Sequence, residues 1–352
     1  MLDAIEQFAV GFKPSHEVLN LIAEIDEFKG KWHALANLSP ERLSLLRRVA
    51  TIESVGSSTR IEGVKLTDRE VETLLANLAT YSFQSRDEEE VAGYAAAMEL
   101  VFQSWAEIAL TENHLKQLHA TLLKFSAKDV SHRGKYKTLP NNVVAFDADG
   151  QQIGVVFATA SPFQTPFEME RLVRWTNEAA AIHPLLRMAV FVVCFLAVHP
   201  FQDGNGRLSR ILTTLLLLRF GYEYVPFASL ESVIEENKDL YYNALRKTQR
   251  SLTDNETDWE SWLLFFLRCL KKQKDNLARK LERERLLAVK LPKLSADILA
   301  LIRAHERLTI SELETLTQAN RNTLKVRLRE LTRDGHLTQS GKARATWYSL
   351  AK

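Results

Sequence analysis

The chain of 352 residues is longer than a typical domain of about 100–200 residues, so we expect two or three folding units with ample core. Hydrophobic residues make up 46% and charged residues 26% of it, as in an ordinary globular protein, and two cysteines exclude a disulfide framework or a cysteine-rich metal cluster. The sequence opens without a basic segment followed by an apolar one, and no apolar run reaches the roughly 20 residues that span a bilayer. We therefore expect a cytoplasmic protein that does not contact a membrane.

The formal net charge of +2 hides an uneven distribution along the chain. Residues 1–270 carry 27 basic and 35 acidic side chains, whereas residues 271–352 carry 19 basic and 9 acidic ones. The body and the tail therefore have different electrostatic tasks. Glycine and proline are scarce, with 13 and 9 residues, and apolar residues recur mostly at helical spacing, so we predict a mainly α fold.

The first informative segment is residues 51–63, TIESVGSSTRIEG. If it is helical, Ser58 and Glu62 are four residues apart and share a face, and Gly63 supplies a C-cap. Gly56 opposes this prediction, because glycine costs a helix about 1 kcal/mol relative to alanine. On these residues alone, the favoured interpretation of Glu62 is a surface glutamate.

Residues 64–157 change from helical to alternating periodicity. Helices are predicted at 68–78, 88–105 and 112–125, the first opened by a capping box of Thr67 and Glu70. Beyond residue 137, two short β-like runs surround the turn sequence Asp147-Ala-Asp-Gly150 and predict a hairpin at about 143–157. An edge hairpin without a partner is the alternative interpretation.

The stretch HPFQDGNGRLSR, residues 199–210, places a base, a carboxylate, a glycine-rich loop and two arginines close together. The apolar run 188–198 predicts a buried helix, and Pro200 makes it unlikely to continue, so the helix delivers His199 to a loop. With an unperturbed pKa of about 6.5, His199 can accept a proton near neutral pH.

The loop after this histidine is suited to phosphate, because it can turn sharply and expose backbone N–H groups at the start of a helix. It consists of Gly204, Asn205 and Gly206. Arg207 and Arg210 are three residues apart, so both face one side of the first helical turns and can meet one polyphosphate. Asp203 is placed to hold Mg²⁺ through oxygen coordination. A glycine-containing turn with solvated arginines is the structural alternative.

Residues 199–210 resemble the signature of the Fic (filamentation induced by cAMP) family, His-Pro-Phe-x-Asp-Gly-Asn-Gly-Arg-x-x-Arg, with every specified position matched. The resemblance implies a Fic-type helical bundle and AMPylation. In that reaction AMP passes from Mg-ATP to a Tyr, Thr or Ser hydroxyl of a target protein or of the enzyme itself, and pyrophosphate leaves. By resemblance His199 activates the hydroxyl, Asp203 ligates magnesium, and residues 204–206 form the phosphate nest.

The same resemblance assigns further residues to the nucleotide. Arg207 would hold phosphate oxygens, Arg210 would meet the γ-phosphate, and Asn243 would contact the adenine. Ser58, Glu62 and Gly63 are similar to the family's inhibitory motif, [Ser/Thr]-x-x-x-Glu-[Gly/Asn], in the N-terminal position of its second class. Glu62 would then pair with Arg210 in the space of the γ-phosphate.

The hairpin at about 143–157 is similar to the family's flap, which holds a target segment by adding a strand to it. The tail, residues 292–352, resembles a winged-helix module, with helices predicted at 295–304, 309–316 and 320–334 and a two-stranded wing at 337–350. In its third predicted helix, 320–334, apolar residues share one face, and Asn322, Arg329 and Arg333 lie roughly opposite. Such a basic helix fits a DNA major groove, but winged helices also dock proteins or dimerise, so DNA, another protein and a second copy of the chain are all candidate partners.

These observations predict an N-terminal helical region at 1–110 with an inhibitory helix at about 51–63. A Fic catalytic core at 111–270, a helical linker at 271–291 and a winged helix-turn-helix domain at 292–352 follow. Three functions remain open. The first is a self-inhibited protein adenylyltransferase that uses ATP and Mg²⁺, the second a DNA-binding transcriptional regulator whose Fic core senses nucleotide. The third is removal of AMP by the same site, with Glu62 orienting water.

Overall fold

The computed structural model describes residues 3–35, 40–78, 82–146, 152–254, 256–289, 293–341 and 346–351. These residues are mainly helical and carry two small sheets, as predicted. The helices are α1 Asp3–Gly11, α2 His16–Leu35, α3 Pro40–Ile61, α4 Asp68–Ala76, α5 Arg86–Ser104, α6 Glu112–Leu122, α7 Thr165–Glu178, α8 Pro184–Val198, α9 Asn205–Arg219, α10 Leu230–Glu236, α11 Lys238–Ser251, α12 Trp259–Val289, α13 Lys293–His305, α14 Ile310–Thr317 and α15 Arg321–Arg333. The strands are β1 Val143–Phe146, β2 Gln152–Phe157, β3 Arg307–Thr309, β4 Leu337–Ser340 and β5 Trp347–Leu350.

The chain divides into two compact units, residues 1–277 and 278–352. Within the first unit, α3 packs against α9 and α10, and α5 packs against α6 and α9. The region predicted at 1–110 therefore shares a body with the predicted core. In the described part of the chain, no helix is both long and apolar enough to cross a membrane.

Helix α8 lies in the core of the first unit and carries the candidate base at its end. Residues 188–198 are each at most 6% exposed, because α7, α9 and α11 pack around them. This explains why the run is apolar on every side instead of along one stripe. Burial of each large apolar side chain stabilises the fold by about 1.5–3 kcal/mol, so residue 199 follows directly on a strongly held core helix.

Helix α3 is continuous through Gly56, where helix propensity is poor. A Cβ at this position would lie 2.6 Å from Nη1 of Arg60 and 2.7 Å from Oδ1 of Asp68. Glycine therefore leaves space for the ion pair of Arg60 and Asp68, which offsets part of its cost in helix propensity. The helix ends as predicted: Val64 N–H donates to Thr59 O at 3.2 Å, Gly63 N–H donates to Arg60 O at 3.0 Å, and Gly63 adopts φ +106°.

The hairpin and helices α10 and α11 have features that the sequence pattern does not show. Strands β1 and β2 pair antiparallel with two register irregularities, while the predicted turn at 147–150 lies outside the described residues. The residue pattern from about 229 to 251 is that of a single helix, but Asn237 separates α10 from α11 with φ −122° and ψ 32°. Its amide Nδ2 donates to Val233 O at 2.7 Å, which offers the backbone an alternative to a continuous helix.

The second unit contains α13, α14 and α15 with a three-stranded antiparallel sheet in the order β3-β5-β4. Its core is formed by Ile298, Ile302, Leu308, Leu313, Leu324, Leu328, Leu331 and Leu337. The three predicted helices and both predicted strands are present, and the three-residue strand β3 was missed because it is too short to show a period. The arrangement is consistent with the winged-helix prediction, which stays a prediction.

Candidate functional site

His199 is the C-cap of α8 and lies in the left-handed region, with φ 52° and ψ 60°. A non-glycine residue pays about 1–2 kcal/mol for this conformation, so neighbouring contacts must hold it. Nδ1 lies 3.2 Å from Leu196 O and must donate the proton there, because a carbonyl only accepts. Nε2 of His199 is then the unprotonated nitrogen, which can take a proton from a ligand.

Burial lowers the pKa of His199 to about 4, although the hydrogen bond to Leu196 O opposes this shift. The ring is therefore neutral at physiological pH. A neutral imidazole with its Nδ1 proton committed to the backbone is the form in which histidine acts as a base.

The loop after His199 leads into the N-terminus of α9. Gly204 is its N-cap in the left-handed region, with φ 77°, and no side chain caps the helix. The first N–H groups of α9 thus have no side-chain acceptor, which favours an anion there. The Asn205 side chain is turned away from such a ligand, since Oδ1 accepts from Phe201 N at 2.9 Å and Nδ2 donates to Phe201 O at 2.7 Å. Asn205 offers the loop only its backbone.

Glu62 occupies the space above this loop. It follows the last residue of α3, and its carboxylate accepts a hydrogen bond from Nη2 of Arg210 at 2.7 Å. Arg210 is buried and also donates from Nε to Ser58 Oγ at 2.7 Å and from Nη2 to Ser58 O at 2.9 Å. The structure thus brings together Ser58, Glu62 and Arg210, with a single nitrogen of the guanidinium bound to the carboxylate.

Burial would lower the pKa of Arg210, but the charge and hydrogen bond of Glu62, together with Tyr241 and Tyr94, outweigh it and leave the pKa above its ordinary value. The guanidinium is therefore a permanent cation at the end of the loop. Its Nη1 has no hydrogen-bond acceptor among the described residues. A buried donor in this state is ready for a further anionic oxygen.

Asp203 and Arg207 belong to a second charged group, which includes two residues that we did not predict. Arg86 Nη2 donates to Asp203 Oδ2 at 2.7 Å, and Arg207 Nη1 lies 2.8 Å from Glu90 Oε2. Arg86 also donates from Nε to Glu90 at 2.7 Å. The sequence analysis missed Arg86 and Glu90 because an acidic first turn is a common helical feature and nothing local joins it to residues 203–207.

Burial would raise the pKa of Asp203, but the charge of Arg207, the Gly204 N–H and the charge of Arg86 outweigh it and leave the pKa below its ordinary value. Asp203 is therefore ionised at neutral pH. Among the described residues, no three His, Cys, Asp or Glu side chains are grouped to hold a metal ion. One ionised carboxylate next to an anion loop still fits Mg²⁺, which commonly takes one or two carboxylates and completes its shell with water and substrate phosphates.

A cavity of about 880 Å³ opens over these groups. Its lining includes the predicted site residues Glu62, Gly63, His199, Asp203, Gly204, Asn205, Gly206 and Arg207. Ser58 and Arg210 are buried and do not line it, but Arg210 binds the lining residue Glu62. The size suits a nucleotide, since ligand pockets usually measure about 300–1,000 Å³.

The predicted adenine contact at Asn243 is not supported by the geometry. Asn243 lines a separate depression of about 460 Å³ with Leu240 and Phe265. Helix α11 turns 100° per residue, so neighbours of Asn243 reach the large cavity while Asn243 itself faces elsewhere. The residues of α11 that line the large cavity are Tyr241, Tyr242, Leu245, Arg246 and Gln249.

His119 of α6 is a further residue that the sequence analysis did not single out as functional. Its ring stacks on Phe201 with centroids 3.9 Å apart, Nδ1 accepts from Gly134 N at 2.9 Å, and Nε2 donates to Asp203 O at 3.0 Å. Burial lowers the pKa of His119 to about 4, so it is a neutral brace for the loop. The buried face of an amphipathic helix is normally apolar, so the histidine on the buried face of α6 was the sequence feature that could have indicated this role.

Comparisons with known proteins agree with this geometry. Residues 109–217 match the Fic/DOC family model. The protein adenylyltransferase Fic of Drosophila melanogaster is 26% identical over 257 residues, which are 71% of this chain and 47% of that protein. The chain thus spans about half the length of the curated relatives it matches.

Two solved structures share the fold. A Fic family protein from Desulfovibrio desulfuricans G20 has a TM-score of 0.66 and 24% identity, with 97% of each chain covered. A Fic domain containing signaling protein from Bacteroides thetaiotaomicron VPI-5482 has a TM-score of 0.60 and 29% identity, over 74% of this chain and 97% of that one. The fold, the matched segment and the loop geometry coincide: the chain contains a Fic domain at residues 109–217.

Proposed function

We propose that this protein is a protein adenylyltransferase that holds itself inactive with Glu62. The observation that carries the proposal is the contact of the Glu62 carboxylate with Arg210 above the loop at 204–206, 148 residues further along the chain. A carboxylate from a distant segment thus occupies an anion site beside a neutral histidine base. Relatives of about a quarter identity carry the name protein adenylyltransferase, which supports AMP transfer as the reaction.

The proposed reaction assigns one task to each group at the loop. Nε2 of His199 removes the proton of a target hydroxyl, whose oxygen attacks the α-phosphorus of ATP. The new P–O bond forms as the bond between the α-phosphorus and the bridging oxygen breaks, and pyrophosphate leaves with that oxygen. The N–H groups of α9 and the guanidinium of Arg207 bind the phosphate oxygens.

Asp203 is the residue that would hold Mg²⁺ together with phosphate oxygens. Bound there, the ion would supply charge neutralisation of the polyphosphate. The Asp203 carboxylate is bound by Arg86. The ionised state of Asp203 is kept by its cationic neighbours, so it needs no deprotonation before it can coordinate a cation.

Inhibition follows from the same contacts. When Glu62 leaves, Arg210 keeps its bonds to Ser58, and Nη1 and Nη2 become available to the γ-phosphate. A guanidinium offers a phosphate two parallel N–H groups, whereas Glu62 receives one. ATP and Glu62 therefore compete for the guanidinium of Arg210. Helix α3 favours Glu62 in this competition, because it holds the carboxylate next to Arg210.

The hairpin β1–β2 would supply the target-binding surface. Phe157, the last residue of β2, lines the cavity together with His199. A target segment that adds a strand to this hairpin would bring a hydroxyl to the base through backbone hydrogen bonds. The choice of target would then depend on side chains near that strand.

The decisive experiment is labelling with ATP carrying a label on the α-phosphate. We expect weak self-labelling of the wild type, strong labelling of Glu62→Gly, and none when His199→Ala is added. Labelling by the double variant would mean that His199 is not the base. Equal labelling with a γ-phosphate label would mean that the transferred group is not AMP.

The alternative of AMP removal is tested with the labelled product. Purified AMP-modified protein is incubated with fresh wild type or with Glu62→Gly, and released AMP is measured. Release by the wild type but not by the variant would support an orienting role of Glu62 for water. We expect no release from either, because the wild-type Glu62 carboxylate is bound to Arg210 and the variant has no carboxylate at this position.

A second function, DNA binding by the unit 278–352, is favoured by one face of α15. Asn322, Lys325 and Arg329 are exposed and spaced three and four residues apart, so they share this face. We propose that it meets the phosphates and bases of a DNA groove. Fluorescence anisotropy with duplex DNA at rising salt should show a slope that Lys325→Ala with Arg329→Ala reduces by about two. An unchanged slope would leave protein docking or self-association as the role.

A further inference from the structure

Lys137 is a buried lysine close to the candidate base that the proposed mechanism does not use. Its side chain is 3% exposed, and its Nζ donates to Asn141 Oδ1 at 2.7 Å, Val198 O at 2.9 Å and Thr159 Oγ1 at 3.0 Å. All three acceptors are uncharged, and each takes one of the three N–H groups. Burying a charged group without a carboxylate partner costs free energy. A lysine kept at this position therefore indicates that its N–H donors are needed there.

The three acceptors belong to three separate segments. Val198 is the last residue of α8 and precedes His199, whereas Asn141 and Thr159 flank the hairpin β1–β2 on its two sides. Residues 141–142 and 159 are the hairpin roots, the points at which the chain enters and leaves β1–β2. One ammonium group therefore bonds the end of the helix that presents the base and both hairpin roots.

Further hydrogen bonds complete this junction. Asn141 Nδ2 donates to His199 O at 3.1 Å and to Phe201 O at 2.6 Å, so the backbone on both sides of Pro200 is held. Thr159 Oγ1 donates to Asn141 Oδ1 at 3.1 Å, and Thr159 N donates to Asn142 Oδ1 at 3.1 Å, which joins the roots. The Lys137 backbone N–H adds a bond to Pro200 O at 2.8 Å.

We propose that Lys137 is a positioning residue for AMP transfer, whose ammonium group fastens the His199 loop to both hairpin roots and so keeps the base and the docked acceptor segment in one frame. The inference rests on the proposed function. His199 keeps its left-handed backbone only because neighbours hold it, and the junction supplies bonds to the carbonyls of residues 198–201. The acceptor would be aligned by the hairpin, so a tie between hairpin and base fixes the distance across which the proton moves.

The groups proposed to hold the nucleotide lie at the same cavity as Asn141 and Asn142 but keep contacts of their own. The N-terminus of α9, Arg207 and Arg210 have no hydrogen bond to Lys137 among the described contacts. Loss of the Lys137 side chain should therefore slow transfer without weakening nucleotide binding. A residue needed only for folding would weaken both.

The test uses Glu62→Gly as the active background and self-labelling by α-phosphate-labelled ATP as the reaction. Lys137→Met keeps the length of the side chain and removes the donors, Lys137→Arg restores a cation with donors, and Lys135→Met is the matched control on an exposed lysine two residues away. Two quantities are measured: the labelling rate constant at saturating ATP and the Kd of a non-hydrolysable ATP analogue. Thr159→Val, which removes one acceptor, is a milder second variant.

We expect Lys137→Met to reduce the rate constant by about 100-fold and to leave the Kd within twofold. Lys137→Arg should recover at least a third of the lost activity on a logarithmic scale, Thr159→Val should lose about 5- to 10-fold, and Lys135→Met should match the background. A rate within threefold of the background for Lys137→Met overturns the proposal. So does a rise in Kd that matches the loss of rate.

A second readout is independent of transfer. The groups that face His199 are Lys137, whose charge lowers its pKa, and Glu62 and Asp203, whose charges raise it. NMR of ring-labelled histidine should show the His199 midpoint moving upward in Lys137→Met and not in Lys135→Met. If Glu62→Gly transfers no AMP, the proposed function fails, and unchanged His199 resonances in Lys137→Met would then also remove the positioning role.

Discussion

Glu62 lies so close to Gly206 that a Cβ added to that glycine would stand 2.2 Å from the carboxylate oxygen Oε1. The same oxygen accepts the 2.7 Å hydrogen bond from Nη2 of Arg210. One atom of Glu62 thus touches both the loop and the arginine that the proposed reaction reserves for phosphate. In this arrangement Glu62 inhibits by competing with a nucleotide phosphate for the same site. The strength of inhibition can therefore be measured as a change in the Kd for ATP.

The first prediction is that Glu62→Gly binds ATP more tightly. A hydrogen bond between charged groups contributes about 1.5–3 kcal/mol, so removal of the competitor should lower Kd by roughly 10- to 100-fold. Isothermal titration with His199→Ala in both proteins prevents turnover. Glu72→Gln, which disrupts an exposed pair with Arg48, is the control and should leave Kd unchanged. Equal affinities with and without Glu62 would contradict a competitive brake.

The second prediction concerns Arg60, two residues before Glu62. Its Nε and Nη2 donate to the two oxygens of Glu235 at 2.7 and 3.0 Å, and Nη1 donates to Asp68 at 2.9 Å. These bonds hold the C-terminal turn of α3 on α10 and thereby hold Glu62 in place. Arg60→Gln should destabilise the fold by roughly 1–3 kcal/mol and raise basal self-labelling by about 3- to 10-fold.

Arg48→Gln on the same helix is the control for Arg60, because its partner Glu72 is half exposed and lies away from the site. Thermal unfolding and labelling are measured on the same preparations. A lower midpoint with unchanged labelling would show that Arg60 stabilises the fold without acting on the brake.

The candidate site was predictable from sequence to the extent that it is local. Residues 199–210 form one loop and one helix turn, so their spacing alone brings His199, the loop and Arg207 together. The Schellman turn at Gly63 and the buried helix at 188–198 are local for the same reason. The C-cap followed from a glycine after a periodic segment, and the helix from an apolar run closed by proline.

The missed residues act across long chain separations. Arg86 reaches Asp203 over 117 positions and Asn141 reaches His199 over 58, and no periodicity in either segment shows its partner. Asn243 was assigned on resemblance, whereas the 100° step of the helix turns it to another depression and Tyr242 to the cavity. The residue pattern therefore does not show which side chains face each other across contacts between distant segments.

The third prediction is that Arg86 raises the concentration of divalent cation that the enzyme needs. Its Nη2 is bound to Asp203 Oδ2 at 2.7 Å, so a cation must displace a guanidinium to reach this oxygen. Arg86→Gln should lower the Mn²⁺ concentration for half-saturation by up to about 5-fold, since an exposed ion pair contributes up to about 1 kcal/mol. Electron paramagnetic resonance of free Mn²⁺, with a non-hydrolysable ATP analogue present, measures this without turnover.

The control for Arg86 is Arg48→Gln, which should leave the Mn²⁺ titration unchanged. Asp203→Asn should abolish the effect of the Arg86 change, because the contested oxygen charge is gone. Weaker Mn²⁺ binding by Arg86→Gln would mean that Arg86 supports the carboxylate instead of competing for it.

The fourth prediction is an acidic limit of activity far below the usual range of histidine. Burial lowers the pKa of His199 to about 4, so the base is neutral above that pH and becomes protonated as pH falls through it. In Glu62→Gly the pKa should not rise, since the charge of Glu62 favours the protonated ring. The labelling rate at limiting ATP, which reports the free enzyme, should stay level from pH 7 down to about 5 instead of falling by half near 6.5.

Acid unfolding must be separated from protonation of the base. His199 and His119 are both held neutral by burial, so each favours the folded state at high pH and loses that contribution as pH falls from about 6.5 to about 4. Circular dichroism and recovery of full activity on return to pH 7 identify the range in which the fold persists. Within that range, a labelling rate that already falls at pH 6 or above would contradict the prediction. It would mean that water reaches His199 once Glu62 is absent, so that the ring is less buried in the active enzyme than in this structure.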